Sequence, residues 1–305
     1  MISLLLKRLS HGLLVLWAVA TLTFLLLRIA PGGPFDSERK LPPEVIANLE
    51  ARYHLDEPVW LQYLRYLSAI AQGDFGPSYK YLDRGVTEII ADTLPTSIVL
   101  GGLAMLFAVV VAFPVGIAAA YFRNSFIDRL CMSVAALGIS LPNFVLGALL
   151  IWVVALQLGW LQIGRWDDWS SVILPIITLG AAPTAFLASL LRSTLIETVS
   201  EDFIRTARAK GLKESRVIGK HALLHSLIPV LTVMGPLAAA LLTGSFVVEF
   251  VFAIPGMGRF FITAVTDRDY PLIMGVTLVY TALLVCANLA VDLLYSYVDP
   301  RIRVE

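Results

Sequence analysis

Six long runs almost free of charge decide what this chain can fold into: about Leu9 to Ile29, Leu94 to Phe122, Cys131 to Leu158, Val172 to Leu191, Leu223 to Val248 and Leu272 to Val298. A helix crosses the hydrocarbon of a bilayer with about 20 apolar residues, so each run can span with some tilt. The expected fold is therefore all-α, a polytopic membrane protein with six transmembrane helices. Composition agrees, because 58% apolar and 15% charged residues lie outside the soluble range of roughly 45–50% and about 25%. The 23 Lys and Arg balance 23 Asp and Glu, which leaves no bulk field to draw nucleic acid, and none is expected as a partner. Cys131 and Cys286 both sit inside apolar runs, where they read as small hydrophobes and not as a disulfide or metal framework. The first run follows Lys7 and Arg8 and is longer than the roughly 7–15 residues of a signal-peptide core, so a retained helix is expected, with a cleaved signal as the alternative.

These runs divide the chain into an N-terminus with the first span (1–30), an extramembranous segment (31–93), a five-span domain (94–298) and a short C-terminus (299–305). Within the second segment, Pro42-Pro43-Glu44 opens a stretch whose Val45, Ile46, Leu49 and Tyr53 recur at helical spacing, and Val59 to Ala71 has the same character; two surface helices are expected. Placing the N-terminus inside gives the cytoplasmic segments thirteen of the 23 cations, among them Lys7, Arg8, Arg123, Arg129, Arg301 and Arg303. The short outward loops keep only Arg165, Arg259 and Arg268. Both termini are therefore expected in the cytoplasm. Trp160, Trp166 and Trp169 suit an outer aromatic belt.

The loop 192–222 between the fourth and fifth spans is the most specific part of the sequence. It contains Ser200-Glu201-Asp202-Phe203-Ile204-Arg205-Thr206-Ala207-Arg208-Ala209-Lys210-Gly211-Leu212. Ser200 is a candidate N-cap, Glu201 and Asp202 complement the positive helix end, Arg208 and Lys210 the negative end, and Gly211 suits a left-handed terminating position. On residue chemistry alone this is also what an ordinary basic loop obeying membrane topology looks like.

The loop resembles that of bacterial ATP-binding-cassette (ABC) importer permeases, whose signature runs Glu-Ala-Ala-x3-Gly-x9-Ile-x-Leu-Pro. Aligned on Gly211, Arg205-Thr206-Ala207 take the Glu-Ala-Ala positions and His221-Ala222-Leu223-Leu224 the last four, so Ala207, Gly211 and Leu223 match the general form. The run from Arg205 to Leu212 is the form typical of the peptide-transport branch. The resemblance extends through Ala30-Pro31-Gly32, Gly73-Asp74-Phe75-Gly76, Leu141-Pro142-Asn143-Phe144, Glu249 with Phe252, Pro255, Gly256 and Gly258, Arg268-Asp269-Tyr270-Pro271 and Asp299-Pro300-Arg301-Ile302-Arg303. Across Pro31 to Pro58 the chain is most similar to the first (B-type) permease subunit of oligopeptide importers, with dipeptide and nickel importers as related alternatives.

The resemblance implies a type I ABC importer permease fold in the bacterial inner membrane. It also implies a second homologous permease, two ATP-binding cassette ATPase subunits, a periplasmic peptide-binding protein and a peptide substrate. Phe203 to Leu212 would form a coupling helix seated on the ATPase, with Phe203, Ile204 and Ala207 as its apolar docking face and Arg205, Arg208 and Lys210 as polar contacts. No cofactor is expected on this chain. Its nearest approach to a phosphate loop is Gly219-Lys220, followed by His221, so ATP and Mg belong to the partner subunits.

Other candidates are fewer. His221 and His225 stand four apart, the spacing at which two imidazoles share a metal, but Ala222 occupies the place of a zinc-protease Glu and a structural role is expected. Arg28, Arg192, Glu249 and Asp292 are the ionisable groups in or near the spans, each expected to face protein, water or the interface. Asp292 would line the path or bond a neighbouring helix, and Glu249 would brace the Pro255-Gly256 loop. Pro142-Asn143 and the other span prolines mark breaks of the kind tolerated around a cavity. The rival classes, a membrane-embedded enzyme or a proton-coupled carrier or channel, would need paired intramembrane acids, a nucleophile or a charged ring, and none is legible.

Overall fold

In hydrocarbon every backbone amide must be satisfied inside its own segment, which leaves helices as the economical answer for runs as apolar as these. The structure, a computed structural model, describes residues 2–35, 43–81, 83–164, 166–242 and 246–298. Among them are α1 (Ile2–Ile29), α2 (Pro43–Arg52), α3 (Val59–Ala71), α4 (Val86–Tyr121), α5 (Phe126–Ser140), α6 (Asn143–Leu150), α7 (Trp169–Val199), α8 (Asp202–Ala209), α9 (Glu214–Arg216), α10 (Leu223–Leu242), α11 (Phe246–Val251), α12 (Met257–Asp267) and α13 (Tyr270–Val298). Short π-helical stretches, Ile151–Gln157 and Val217–Ala222, continue α6 and lead into α10.

Five helical stretches are long and apolar enough to span: Leu6–Ile29, Val86–Tyr121, Trp169–Val199, Glu214–Leu242 and Tyr270–Ala290. The sixth expected span, Cys131 to Leu158, is not one straight helix. It is a pair, Phe126–Ser140 and Asn143–Gln157, bent by 108°. The cause is local: Leu141 leaves the helix in an extended conformation, and Pro142 serves as N-cap of α6, with Val145 N–H donating to its carbonyl. Proline disfavours helical geometry in the residue before it and suits the start of the next helix. Arg165 and the run Asp299 to Arg303 lie outside the described residues.

The chain forms two compact units, Met1–Ser97 with Pro255–Val285, and Ile98–Ile254 with Cys286–Glu305. In the first, two segments that are remote in sequence converge on the start of α13. Buried Asp269 caps that helix, accepting from Leu272 N–H, and also accepts from Tyr79 N–H at 3.1 Å and from the Ser78 hydroxyl. Tyr270 Oη donates to the Gly32 carbonyl at 3.2 Å, and Arg268 reaches the Gly33 carbonyl. The stretches at Gly32–Gly33, Ser78–Tyr79 and Arg268–Tyr270 thus act as one tie.

In the second unit the core is built by close approach. A Cβ at Gly116 would lie 2.8 Å from the Ala188 carbonyl and one at Gly180 3.0 Å from that of Ala104, the small-residue contacts that let membrane helices meet backbone to backbone. Around them Ala108, Ala112, Leu187, Leu191 and Val230 are buried together, joining α4, α7 and α10.

Candidate functional site

α8 is a strongly two-faced helix of eight residues, shorter than the roughly 12–15 that are marginally stable alone, so something outside it must hold it. Ile204 is fully buried and Ala207 nearly so, packed with Leu195 of α7 and with Val217 and Ala222 of the π-helical stretch. This corrects the expectation that Phe203, Ile204 and Ala207 form one docking face. Residues three apart share a helix face while their immediate neighbours do not, and the face of Ile204 and Ala207 is spent on the chain's own core. The outward face carries Phe203, Arg205, Thr206, Ala209 and Lys210, all exposed. Phe203, 41% exposed, rests against the His225 ring at 4.9 Å between centroids.

The N-cap also differs from expectation. Ser200 closes α7, its hydroxyl donating to the Ile196 carbonyl, and Glu201 takes the extended conformation that starts α8. Both residue types suit a helix start, and the two helices abut too closely for Ser200 to serve the second. At the other end Gly211 has φ +77°, its N–H donating to the Arg208 carbonyl and Leu212 N–H to that of Ala207, an αL termination. Arg208 donates two hydrogen bonds to Glu214, at 2.6 and 3.1 Å, which push its guanidinium pKa up. It is thus a strut across the turn as well as a surface cation. Arg205 pairs with Asp202 at 3.3 Å on the open face. Beneath the loop a cavity of about 260 Å³ is lined by Tyr121, Arg123, Ser200, Arg208 and Glu214 among others.

No heavy atom lies within 4 Å of a Cβ placed at Gly211, so a side chain there costs only backbone strain. Gly211→Val is expected to destabilise the loop by about 1–2 kcal/mol, since the left-handed conformation penalises a β-branched residue by that order. Local hydrogen exchange over 202–212 should rise with the global melting temperature nearly unchanged.

The loop is seated on the bundle by a contact that the sequence reading did not find. Asp128, buried in the first turn of α5, accepts two hydrogen bonds from Arg192 of α7 at 2.6 and 2.8 Å, and a third from Asn124 N–H. Its only sequence signal was Arg192 itself, a cation that needed an acid. Asp128→Ala should destabilise by about 2 kcal/mol, between the exposed-pair and buried-pair regimes, because it leaves Arg192 half-buried without its anion. Adding Arg192→Met should recover part of that loss in a detergent melt.

Pro142 and Asn143 form the α5–α6 corner. Glu249 is fully buried on α11, and its carbonyl accepts from Ile254 N–H just before Pro255. Gly256 is the N-cap of α12, where Met257 N–H donates to Ser97 Oγ at 2.9 Å. The side chain of Asp292 lies outside the described residues. Among the described residues no group of three or more His, Cys, Asp or Glu could hold a metal.

The family described as "Binding-protein-dependent transport system inner membrane component" matches residues 112–304, and its N-terminal counterpart matches residues 1–101. The chain is 45% identical over 305 residues to the oligopeptide transport system permease protein OppB of Haemophilus influenzae, covering 99% of this chain and all of that one. It is 45% identical over 287 residues to the dipeptide transport system permease protein DppB of Bacillus subtilis, covering 94% and 93%. OppB of Salmonella typhimurium is 42% identical over 99% of this chain and all of its own length. Two solved structures share the fold: the MetNI methionine ABC transporter, with a TM-score of 0.54 at 18% identity over 69% of this chain and 96% of that one, and an amino acid ABC transporter, with 0.57 at 17% over 69% and 94%.

Proposed function

Because the chain belongs to the family of binding-protein-dependent transport system inner membrane components, we propose that it is a permease subunit of an ATP-driven peptide importer, one half of a translocation path. It spans the bacterial inner membrane with both termini in the cytoplasm, the side to which thirteen of its 23 cations are assigned under the positive-inside rule. A second homologous permease completes the path. Two ATP-binding cassette subunits bind ATP and Mg, and a periplasmic binding protein delivers peptide. The chain itself performs no catalysis.

The observation that carries this reading is the construction of α8. Its inner face is locked into the core by Ile204 and Ala207 while Phe203, Arg205 and Lys210 remain exposed. A helix held this way moves as a body. Closure of an ATPase seated on Phe203 to Leu212 is thereby transmitted to α7 and α10, which bias the bundle between inward- and outward-open states. Oligopeptides are the preferred substrate because the OppB relatives align end to end with this chain. Dipeptides are the second reading, favoured by the DppB relative; nickel chelates rest only on the branch resemblance.

Uptake of a labelled tripeptide and a labelled dipeptide by cells lacking this chain, with and without its restoration, tests the proposal. Restored, ATP-dependent tripeptide uptake is expected. Uptake that persists when ATP is depleted and the proton gradient kept would contradict it.

A further inference from the structure

A cavity of about 400 Å³ lies wholly within the first unit, between the outer end of α1, the helices α2 and α3, and the Asp74 to Tyr79 stretch. Among the described residues, three guanidinium groups line it, Arg28, Arg52 and Arg65, with one carboxylate, Asp74. They are not equivalent. Arg65 is paired with Glu57 at 2.8 Å and Arg52 lies over the Tyr53 ring. Arg28 is part-buried, and its partners among the described residues are neutral: the Gln62 amide oxygen and the face of Phe24, 5.1 Å from its centroid.

Phe24 in turn stacks on Tyr66 at 5.9 Å, and the Tyr66 hydroxyl is buried with no hydrogen-bond partner among the described residues. A buried donor without an acceptor is destabilising, and a cation removed from water without an anion is more so. Two such donors around one aromatic-walled cavity are tolerated when the site has an anion to bind. Asp74 adds one acceptor of the opposite sign, which suits an amine better than a second acid. A molecule with one carboxylate, one ammonium and apolar bulk between them matches that lining.

We propose that this cavity is a peptide subsite in which Arg28 and the Tyr66 hydroxyl receive the C-terminal carboxylate, the aromatic walls hold the last side chain and Asp74 faces the amine. The proposal rests on the peptide-importer reading and adds to it a place on this chain, outside the bundle of the second unit, where substrate is held by its carboxyl end.

The test uses the assembled transporter in nanodiscs without the binding protein, and a fluorescent tripeptide ending in phenylalanine, as free acid and as C-terminal amide. The free acid should bind at least tenfold more tightly than the amide. Arg28→Gln should abolish that preference, and Tyr66→Phe, which removes a hydroxyl with no partner among the described residues and so preserves the fold, should weaken free-acid binding several-fold. Equal binding of acid and amide, or binding indifferent to both substitutions, would overturn the proposal. So would peptide binding that vanishes when phosphatidylethanolamine is added to nanodiscs made of phosphatidylcholine alone, which would assign the cavity to a lipid headgroup. No peptide binding alongside intact ATP-dependent uptake by the complete system would overturn the subsite and leave the importer reading standing, whereas loss of uptake of every peptide would remove both.

Discussion

Ile204→Ala and Phe203→Ala, one residue apart on α8, are expected to fail in opposite ways. Ile204 is fully buried against Leu195, Val217 and Ala222, and truncating a buried isoleucine costs about 2–5 kcal/mol. A helix of eight residues cannot absorb that loss from its own propensity. Hydrogen exchange should therefore show the whole of α8 opening, with ATPase association and uptake lost together. Phe203 is 41% exposed and rests against the tilted His225 ring, so Phe203→Ala should change stability by less than about 1 kcal/mol. ATPase co-purification should nevertheless fall at least tenfold, the behaviour of an aromatic anchor in a partner's pocket. A Phe203→Ala protein that binds its ATPase normally would show that the exposed face is not the docking face.

Gly101→Val is expected to have the largest effect on the second unit. A Cβ at Gly101 would overlap the Leu241 carbonyl oxygen, and would approach the Leu241 carbonyl carbon to 2.7 Å and Leu242 Cα to 2.9 Å. All three are backbone atoms, so no rotamer change relieves the overlap and α4 must move away from α10. Inserting even small groups into a packed core costs about 1–3 kcal/mol. A branched side chain against main chain should exceed that, and should abolish uptake by separating α4 from α10. Gly102, whose Cβ would meet nothing within 4 Å, is the control: Gly102→Val should retain stability and uptake. Equal melting curves for the two variants would contradict the packing.

Much of this arrangement is written in local sequence. The α3 boundaries follow from apolar spacing and agree residue for residue with Val59 to Ala71, because a surface helix over a packed layer leaves its period in the sequence. Gly211 was legible for a similar reason: few residues tolerate φ +77°. Pro142 marked the break in the Cys131 to Leu158 run, but a proline states that a helix stops without stating where the chain goes next. The 108° turn between α5 and α6 follows from the extended Leu141 and the Pro142 cap, backbone angles that the residue types permit without specifying.

The loop 192–222 shows the same limit. The resemblance grouped Phe203 with Ile204 and Ala207 as one apolar face, and only the placement of Leu195 and Val217 separates the buried face from the exposed one. The Asp128–Arg192 pair joins residues 64 apart in sequence, and the cavity around Arg28 combines α1 with the Asp74 to Tyr79 stretch and Pro271. Such long-range partners have no period or spacing to betray them.

Site-specific photo-cross-linking across α8 tests the central claim most directly. A photoreactive residue placed in turn at 203, 206, 210, 204 and 207, in cells carrying the native system, reads which face meets the ATPase. Adducts to a phosphate-loop ATPase from 203, 206 and 210, strengthened when ATP is trapped, with none from the buried 204 and 207, is the result the account predicts. Adducts to lipid alone from every position, in a chain that still supports peptide uptake, would contradict it.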